Sequence, residues 1–308
     1  MDKYAYFFID DTIWCLRDVT RERPASLFDN KFFAMLKKGH DEYGMTVQLN
    51  LFYRTDFYYG GEEFNLSQMT DAYKAEFEEA SDWLKLTFHA KQEFPDYPYV
   101  NADYADVKRD CLQVLDEIKR FAGAKSVARA VVPHWLPISK EGCKALVDCG
   151  IRFVSPSAGQ RLAYEEYKGF LSGSALSRFK YNHKPETVPY TRIMTDGAAV
   201  KSICSYNHIS EEQEKEIFWK MRSVYDEETG IRFKKIGGGP CLNKHTPEKL
   251  AARLEELNGS EYIGVCVHEQ YFYPYYSAYQ PDYADKVWQL GRTLTGYGYK
   301  FITADDMR

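Results

Sequence analysis

The chain has no apolar run approaching the ~20 residues that span a bilayer, which excludes a helical membrane segment. It also has no excess of positive charge. Its 40 Lys and Arg stand against 45 Asp and Glu, for a net charge of −5 and a pI near 5.9. That balance argues against nucleic acid or an anionic membrane as a partner. The seven cysteines are odd in number and scattered, with no C-x-x-C pair. They read as reduced core residues of an intracellular, cytoplasmic protein, not as a disulfide frame or zinc knuckle. Strand-like sequence begins at Tyr4 and leaves no room for a signal peptide. Gly237-Gly238-Gly239 lacks the Lys-Ser/Thr of a phosphate loop and reads as a turn. Internal repeats, low-complexity tracts and clean linkers are missing as well.

What is present fits an ordinary globular protein, at 44% hydrophobic and 28% charged residues. A length of 308 residues allows one large α/β barrel or two domains, and a single domain over 1–308 is preferred. Aromatic residues reach 16%, with 25 tyrosines, a supply that suits sugar rings and ordinary cores alike.

Strand and helix signals alternate along the first half. Strands are expected over 4–9, 45–53, 83–88, 127–132 and 151–154, and helices over 26–38, 67–80, 103–122 and 139–149. Ser26 and Asp29 are spaced as a capping box, and Gly123 stands where a helix C-cap belongs. The rhythm resumes with a helix opened by Thr246-Pro247-Glu248 and closed by Asn258-Gly259. A strand over 261–267, a helix over 283–294 and a strand over 298–302 follow. This order predicts a parallel sheet with right-handed crossovers. Residues of about 156–245 fit poorly and read as a decorated or inserted segment, with strands at 190–194 and 230–233 and a charged helix near 210–225.

Four predicted strands end in Asp10-Asp11, His89, His134 and His268-Glu269, and parallel strands bring such ends to one rim. Side-chain alternation points Asp10 and Asp11 in different directions and gives them different jobs. Only seven histidines exist, so three at strand ends beside a carboxylate pair favour a metal site. A divalent ion on imidazole and carboxylate lowers the pKa of a water it binds to about 7 and polarises a carbonyl. A second carboxylate can take the water's proton, and a histidine opposite can protonate the leaving group. Asp10, Asp11, His89, His134 and His268 supply those residue types with none left over.

Phe8-Ile9-Asp10-Asp11 resembles the Asp-Asp signature that opens the NodB-like polysaccharide deacetylases. Val265-Cys266-Val267-His268 resembles their late hydrophobic-His motif. Val287-Trp-Gln-Leu290 with Gly298-Tyr-Lys-Phe-Ile-Thr303 resembles their closing pattern. The resemblance covers residues 1–155 and 246–308 as short motifs in order. It implies a distorted parallel (β/α) barrel of seven strands and a reaction removing an N- or O-acyl group from a carbohydrate. It further implies Asp10 as general base, Asp11 and His89 as ligands of a divalent metal, most simply zinc, and His268 as general acid. The family's second metal histidine falls on position 93, which is Glu93 here, so Glu93 and His134 are rival third ligands. Arg129 is the candidate for the arginine that orients the base. Two other functions compete. One is a metal-independent glycosidase using two carboxylates from Asp10, Asp11, Glu93 and Glu269. The other is an inactive carbohydrate-binding relative. The tyrosine-rich loop 271–279 would either stack on sugar or pack on the barrel.

Overall fold

The computed structural model describes residues 2–55, 63–94, 98–99, 102–136, 138–156, 211–218, 220 and 222–307. The strand expected over 190–194 and most of the decorated segment lie outside them.

Strand β1 (Lys3–Thr12) organises the sheet, with parallel neighbours on both sides. One side carries β8 (Tyr262–His268), in register from Tyr4↔Tyr262 to Asp10↔His268. The other side carries β9 (Tyr299–Phe301) against Lys3–Ala5, then β2 (Val47–Phe52) from Phe7 onward. Strand β3 (Leu84–Ala90) extends the sheet beyond β2, again in parallel. A second sheet joins β4 (Ala130–Val131), β5 (Phe153–Val154) and β7 (Arg232–Phe233) in parallel, with β6 (Val224–Tyr225) antiparallel to β7.

Two isolated parallel bridges connect the sheets. Leu86↔Val127, with Ala128 N–H donating to Leu86 O at 2.8 Å, ties β3 to the approach of β4. Cys241↔Cys266, with Gly239 N–H donating to Gly264 O at 2.7 Å, ties the chain after β7 to β8. At that seam Gly264 is required, because a Cβ there would meet Ile236 O at 1.7 Å. Among the described residues the parallel strands β1, β2, β3, β4, β5, β7 and β8, with β9 beside the start of β1, therefore run around a ring whose ladder is interrupted at both seams. The expected parallel α/β architecture holds, though the ring is no continuous barrel and β6 runs against the rest.

Both faces of β1 are buried, which is why its sequence reads as an unbroken apolar run. Ala5, Phe7 and Ile9 join the outer core with Val47, Leu49, Leu51, Leu86 and Phe88. Tyr6 and Phe8 join the inner cluster with Ala128, Ala130, Val132, Phe153 and Ile236. The helices α1 (Trp14–Glu22), α2 (Lys31–Tyr43), α3 (Lys74–Glu79), α4 (Tyr104–Ala122), α5 (Lys140–Asp148), α6 (Glu211–Phe218), α7 (Pro247–Leu257) and α8 (Tyr283–Gly296) supply the connections between strands. Asp103, Ser139 and Thr246 cap α4, α5 and α7. The Ser26/Asp29 box forms, but it caps a 3₁₀ turn (Leu27–Asp29), and α2 starts after its own cap at Asn30. Among the described residues no helix is long and apolar enough to cross a membrane.

Candidate metal centre

The C-terminal ends of these strands meet at a cavity of ≈ 550 Å³ whose walls include Asp10, Asp11, His89, His134 and His268. Along β1 the even-numbered residues face inward, so Asp10 enters by simple alternation and Asp11 should face the helices. A bulge prevents this. Ile9 pairs with Leu49 and Thr12 with Leu51, so three steps on β1 match two on β2, and Asp11 takes φ 59°. Aspartate tolerates this left-handed conformation better than most residues, and the extra residue turns the second carboxylate back to the rim. The expectation that the doublet points in different directions is thus corrected: both side chains reach His89, at 3.8 Å from Asp10 and 3.1 Å from Asp11. A second irregularity sits at His89, where Leu51↔Phe88 and Phe52↔Ala90 leave one extra residue on β3.

Asp11 Oδ1, His89 Nε2 and His134 Nδ1 form a near-equilateral triangle with sides of 3.1, 3.3 and 3.1 Å. All three residues are buried. Donor atoms about 2.1 Å from one ion are spaced by about 3.0 Å in octahedral and about 3.4 Å in tetrahedral geometry, so the triangle fits three positions around a divalent cation. The outward nitrogens decide what kind of atoms face inward. His89 Nδ1 lies 2.6 Å from Val132 O and His134 Nε2 lies 2.8 Å from Glu93 O. A carbonyl only accepts, so each ring places its N–H there and turns a lone pair to the centre. Two lone pairs and a carboxylate oxygen then converge with no donor among them. Such an arrangement requires a cation, either a metal ion or a proton.

The ionisation of the three groups agrees. Burial works against the Asp11 carboxylate, yet the close approach of the His134 and His89 imidazoles outweighs it and holds its pKa well below the usual range. Burial holds His134 below the ordinary imidazole value, which keeps it neutral. Burial also pulls His89 down, but the charges of Asp10 and Asp11 more than offset this and raise it.

Asp10 and His268 line the same cavity and are register partners across β1 and β8. Asn50 Nδ2 donates to Asp10 Oδ1 at 2.6 Å, Gln48 Nε2 donates to Asn50 Oδ1 at 2.7 Å, and Tyr6 O–H donates to Gln48 Oε1. This buried chain of amides runs up the ring interior and fixes the base candidate. Burial raises the Asp10 pKa, against opposing pulls from His89 and His268. His268 Nδ1 lies 3.1 Å from Asn243 Oδ1 and 3.8 Å from Cys241 Sγ. Burial lowers its basicity, but Cys241 and the two aspartates prevail and push its pKa up to about 10.

Sequence reasoning missed Gln48, Asn50, Cys241 and Asn243. Gln48 and Asn50 had a legible signal, because polar residues alternating inside an otherwise apolar strand must face a polar interior. Cys241 and Asn243 follow an irregular strand and had none.

Several expectations are corrected. Residues 91–93 bend after β3, so Glu93 does not sit one helical turn beyond His89. The compact ligand group contains His134, while Glu93 contributes its main-chain carbonyl and lines the cavity. Arg129 is exposed and lies beside Lys85 and Asp305 at the opposite end of the ring, because its strand position precedes the rim by a full strand length. Glu269 is fully buried and accepts the N–H groups of Ile13, Trp14 and Cys15 at 2.7, 2.8 and 2.6 Å. Its carboxylate caps α1 and is not a partner for a glycosidase pair. The tyrosine loop divides: Tyr271 and Tyr276 line the cavity with Trp135, whereas Tyr273 is buried against Trp14.

No protein-family profile matches the chain, and no curated protein matches it in sequence. Among solved structures, a 4-alpha-glucanotransferase from Thermococcus litoralis superimposes with a TM-score of 0.54 at 10% identity, over 99% of this chain and 40% of that one. A family 4 acetyl xylan esterase from Clostridium thermocellum, in complex with a cobalt ion, gives 0.42 at 13% identity, over 99% and 89% of the chains. A polysaccharide deacetylase from Bacillus cereus gives 0.43 at 12%, over 98% and 91%. At these identities the likeness concerns the fold, and the roles of this chain's residues rest on its own geometry.

Proposed function

We propose that this protein is a metal-dependent hydrolase that removes an acyl group from a carbohydrate. The observation that carries the reading is the triangle of acceptor atoms on Asp11, His89 and His134, which would hold the ion. Zinc suits two imidazoles and one carboxylate. Bound there, the ion would supply Lewis acidity toward an acyl carbonyl and toward water. Asp10 lies 3.8 Å from His89, and its raised pKa makes it a competent proton acceptor from water. His268 lines the same cavity, and its raised pKa keeps an imidazolium ready to protonate the departing oxygen or nitrogen. Trp135, Tyr271 and Tyr276 offer aromatic faces of the kind that stack on sugar rings. The motif order from Phe8-Ile9-Asp10-Asp11 to Thr303 supports the same class.

The test is acetate release from N- and O-acetylated oligosaccharides by zinc-loaded protein. Asp10→Asn and His268→Ala should each lower kcat by about 10²–10⁴ while zinc content stays unchanged. Zinc-loaded protein that releases acetate from none of these substrates, or variants as active as the parent, would end the proposal. The pH profile gives a second reading. His268 must be protonated to act, so kcat should fall as pH rises through about 10. Cys241→Ser removes the sulfur that favours the imidazolium and should move that limb down by about one unit. An unmoved limb would deny the thiol any part in holding the proton.

A further inference from the structure

Two sulfur atoms stand in the cavity wall; the proposed hydrolase chemistry uses Cys241 only to favour the His268 imidazolium and gives Cys266 no part. Cys241 and Cys266 face each other across the isolated parallel bridge that closes the ring between β7 and β8. Residues paired this way have Cα atoms about 4.8 Å apart, inside the roughly 4.4–6.8 Å that a disulfide spans. Both line the cavity, and neither is fully buried. Cys241 Sγ lies 3.8 Å from His268 Nδ1 and 3.0 Å from Asn243 Oδ1. In the neutral arrangement the thiol donates to Asn243, and moving its proton to the imidazole gives a thiolate beside an imidazolium.

The two sulfurs are unequal. A hydrogen bond from Cys266 and the charge of His268, against the cost of burial, bring the Cys241 thiol down to about 5. The same hydrogen bond and burial push Cys266 well above the ordinary thiol. One sulfur is equipped to attack and the other to resolve. Cys15, Cys111 and Cys143 are buried, with thiols raised by desolvation. Among the described cysteines Cys149 is the nearest rival, half-buried and hydrogen-bonded to Cys111, but its own sulfur contacts Lys108 O and it lines a different cavity; Cys204 lies outside the described residues.

We propose that Cys241 and Cys266 form a thiol–disulfide exchange site that takes low-molecular-weight disulfides from the cavity. The Cys241 thiolate attacks one sulfur of the incoming disulfide, forming a mixed disulfide and releasing the other half as a thiolate. Cys266 gives up its proton to that thiolate and attacks the Cys241 sulfur, which expels the second half. Protein dithiol and small disulfide become protein disulfide and two small thiols. The new bond staples the chain after β7 to β8 next to His268.

The experiment exposes reduced full-length protein to glutathione disulfide at neutral pH, traps remaining thiols with N-ethylmaleimide, and maps the peptides by mass. The parent should lose two hydrogens in a link between residues 241 and 266. Cys266→Ser should stop at a glutathionyl adduct on Cys241, and Cys241→Ser should show neither product. A parent with no such link, or a Cys266→Ser protein modified at Cys149 in preference to Cys241, would overturn the proposal. The readout needs neither metal nor sugar, so its failure is distinguishable from failure of the hydrolase reading.

Discussion

Replacing His89 with alanine is expected to lower zinc affinity by more than about 100-fold and to reduce deacylation to background. The triangle on Asp11, His89 and His134 has sides of 3.1–3.3 Å, and removing one corner leaves two donors on one side of the ion. Loss of a partner merely hydrogen-bonded to a ligand already costs about 10–100-fold, so loss of a ligand costs more. Asp11→Asn is the companion change, because it keeps shape and removes the anion. Zinc content by mass spectrometry after dialysis is the primary measurement, with circular dichroism to confirm folding. Chelation should lower the Tm of the parent, since an ion at about 100 times its Kd stabilises by about 2.7 kcal/mol. It should leave His89→Ala unmoved. Proton release adds a sign. Without a cation, His89 is held above the ordinary imidazole value and carries the proton that the three acceptors demand. Metal binding expels that proton, so apparent affinity should rise with pH until the folded His89 pKa is passed. Stoichiometric zinc in His89→Ala would remove the basis of the proposed function.

The second large effect concerns stability. Glu269→Ala should cost about 5 kcal/mol and lower Tm by roughly 10 °C. The Glu269 carboxylate accepts three buried N–H groups at the start of α1, at 2.6–2.8 Å. Each donor left unsatisfied costs about 1–3 kcal/mol, and the helix N-terminus loses a favourable negative charge. Chains of this size shift by roughly 2 °C per kcal/mol. Glu269→Gln should retain part of the loss, because one amide oxygen still accepts while the amide N–H₂ meets a donor. Thermal unfolding of metal-free protein isolates this from the metal site. A Tm within about 2 °C of the parent would show that solvent or relaxation satisfies α1 in its place.

The two predictions mark the two ends of what could be read in advance. Asp10, Asp11, His89, His134 and His268 were legible because each ends an apolar run, and a parallel sheet carries such ends to one rim. Glu269 has the same placement and a different fate. It follows His268 by one residue, where the chain leaves β8 and turns the carboxylate onto α1, a helix that weak local signals had concealed. Arg129 failed for a related reason: Ala128 and Ala130 take the inner face, which leaves Arg129 exposed, and the pairing of Leu86 with Val127 places it at the far end.

The alternation of strands with helices, the burial of β1 and the convergence of acids with imidazoles were determined by the sequence, because hydrophobic period and strand-end chemistry are local properties of the chain. The meeting of His134 with Asp11 and His89, the inward turn of Asp11 and the bridge between Cys241 and Cys266 were decided only by tertiary structure. Each depends on a bulge, a bend or a bridge between distant segments, and one residue of slip there reverses which face a side chain takes.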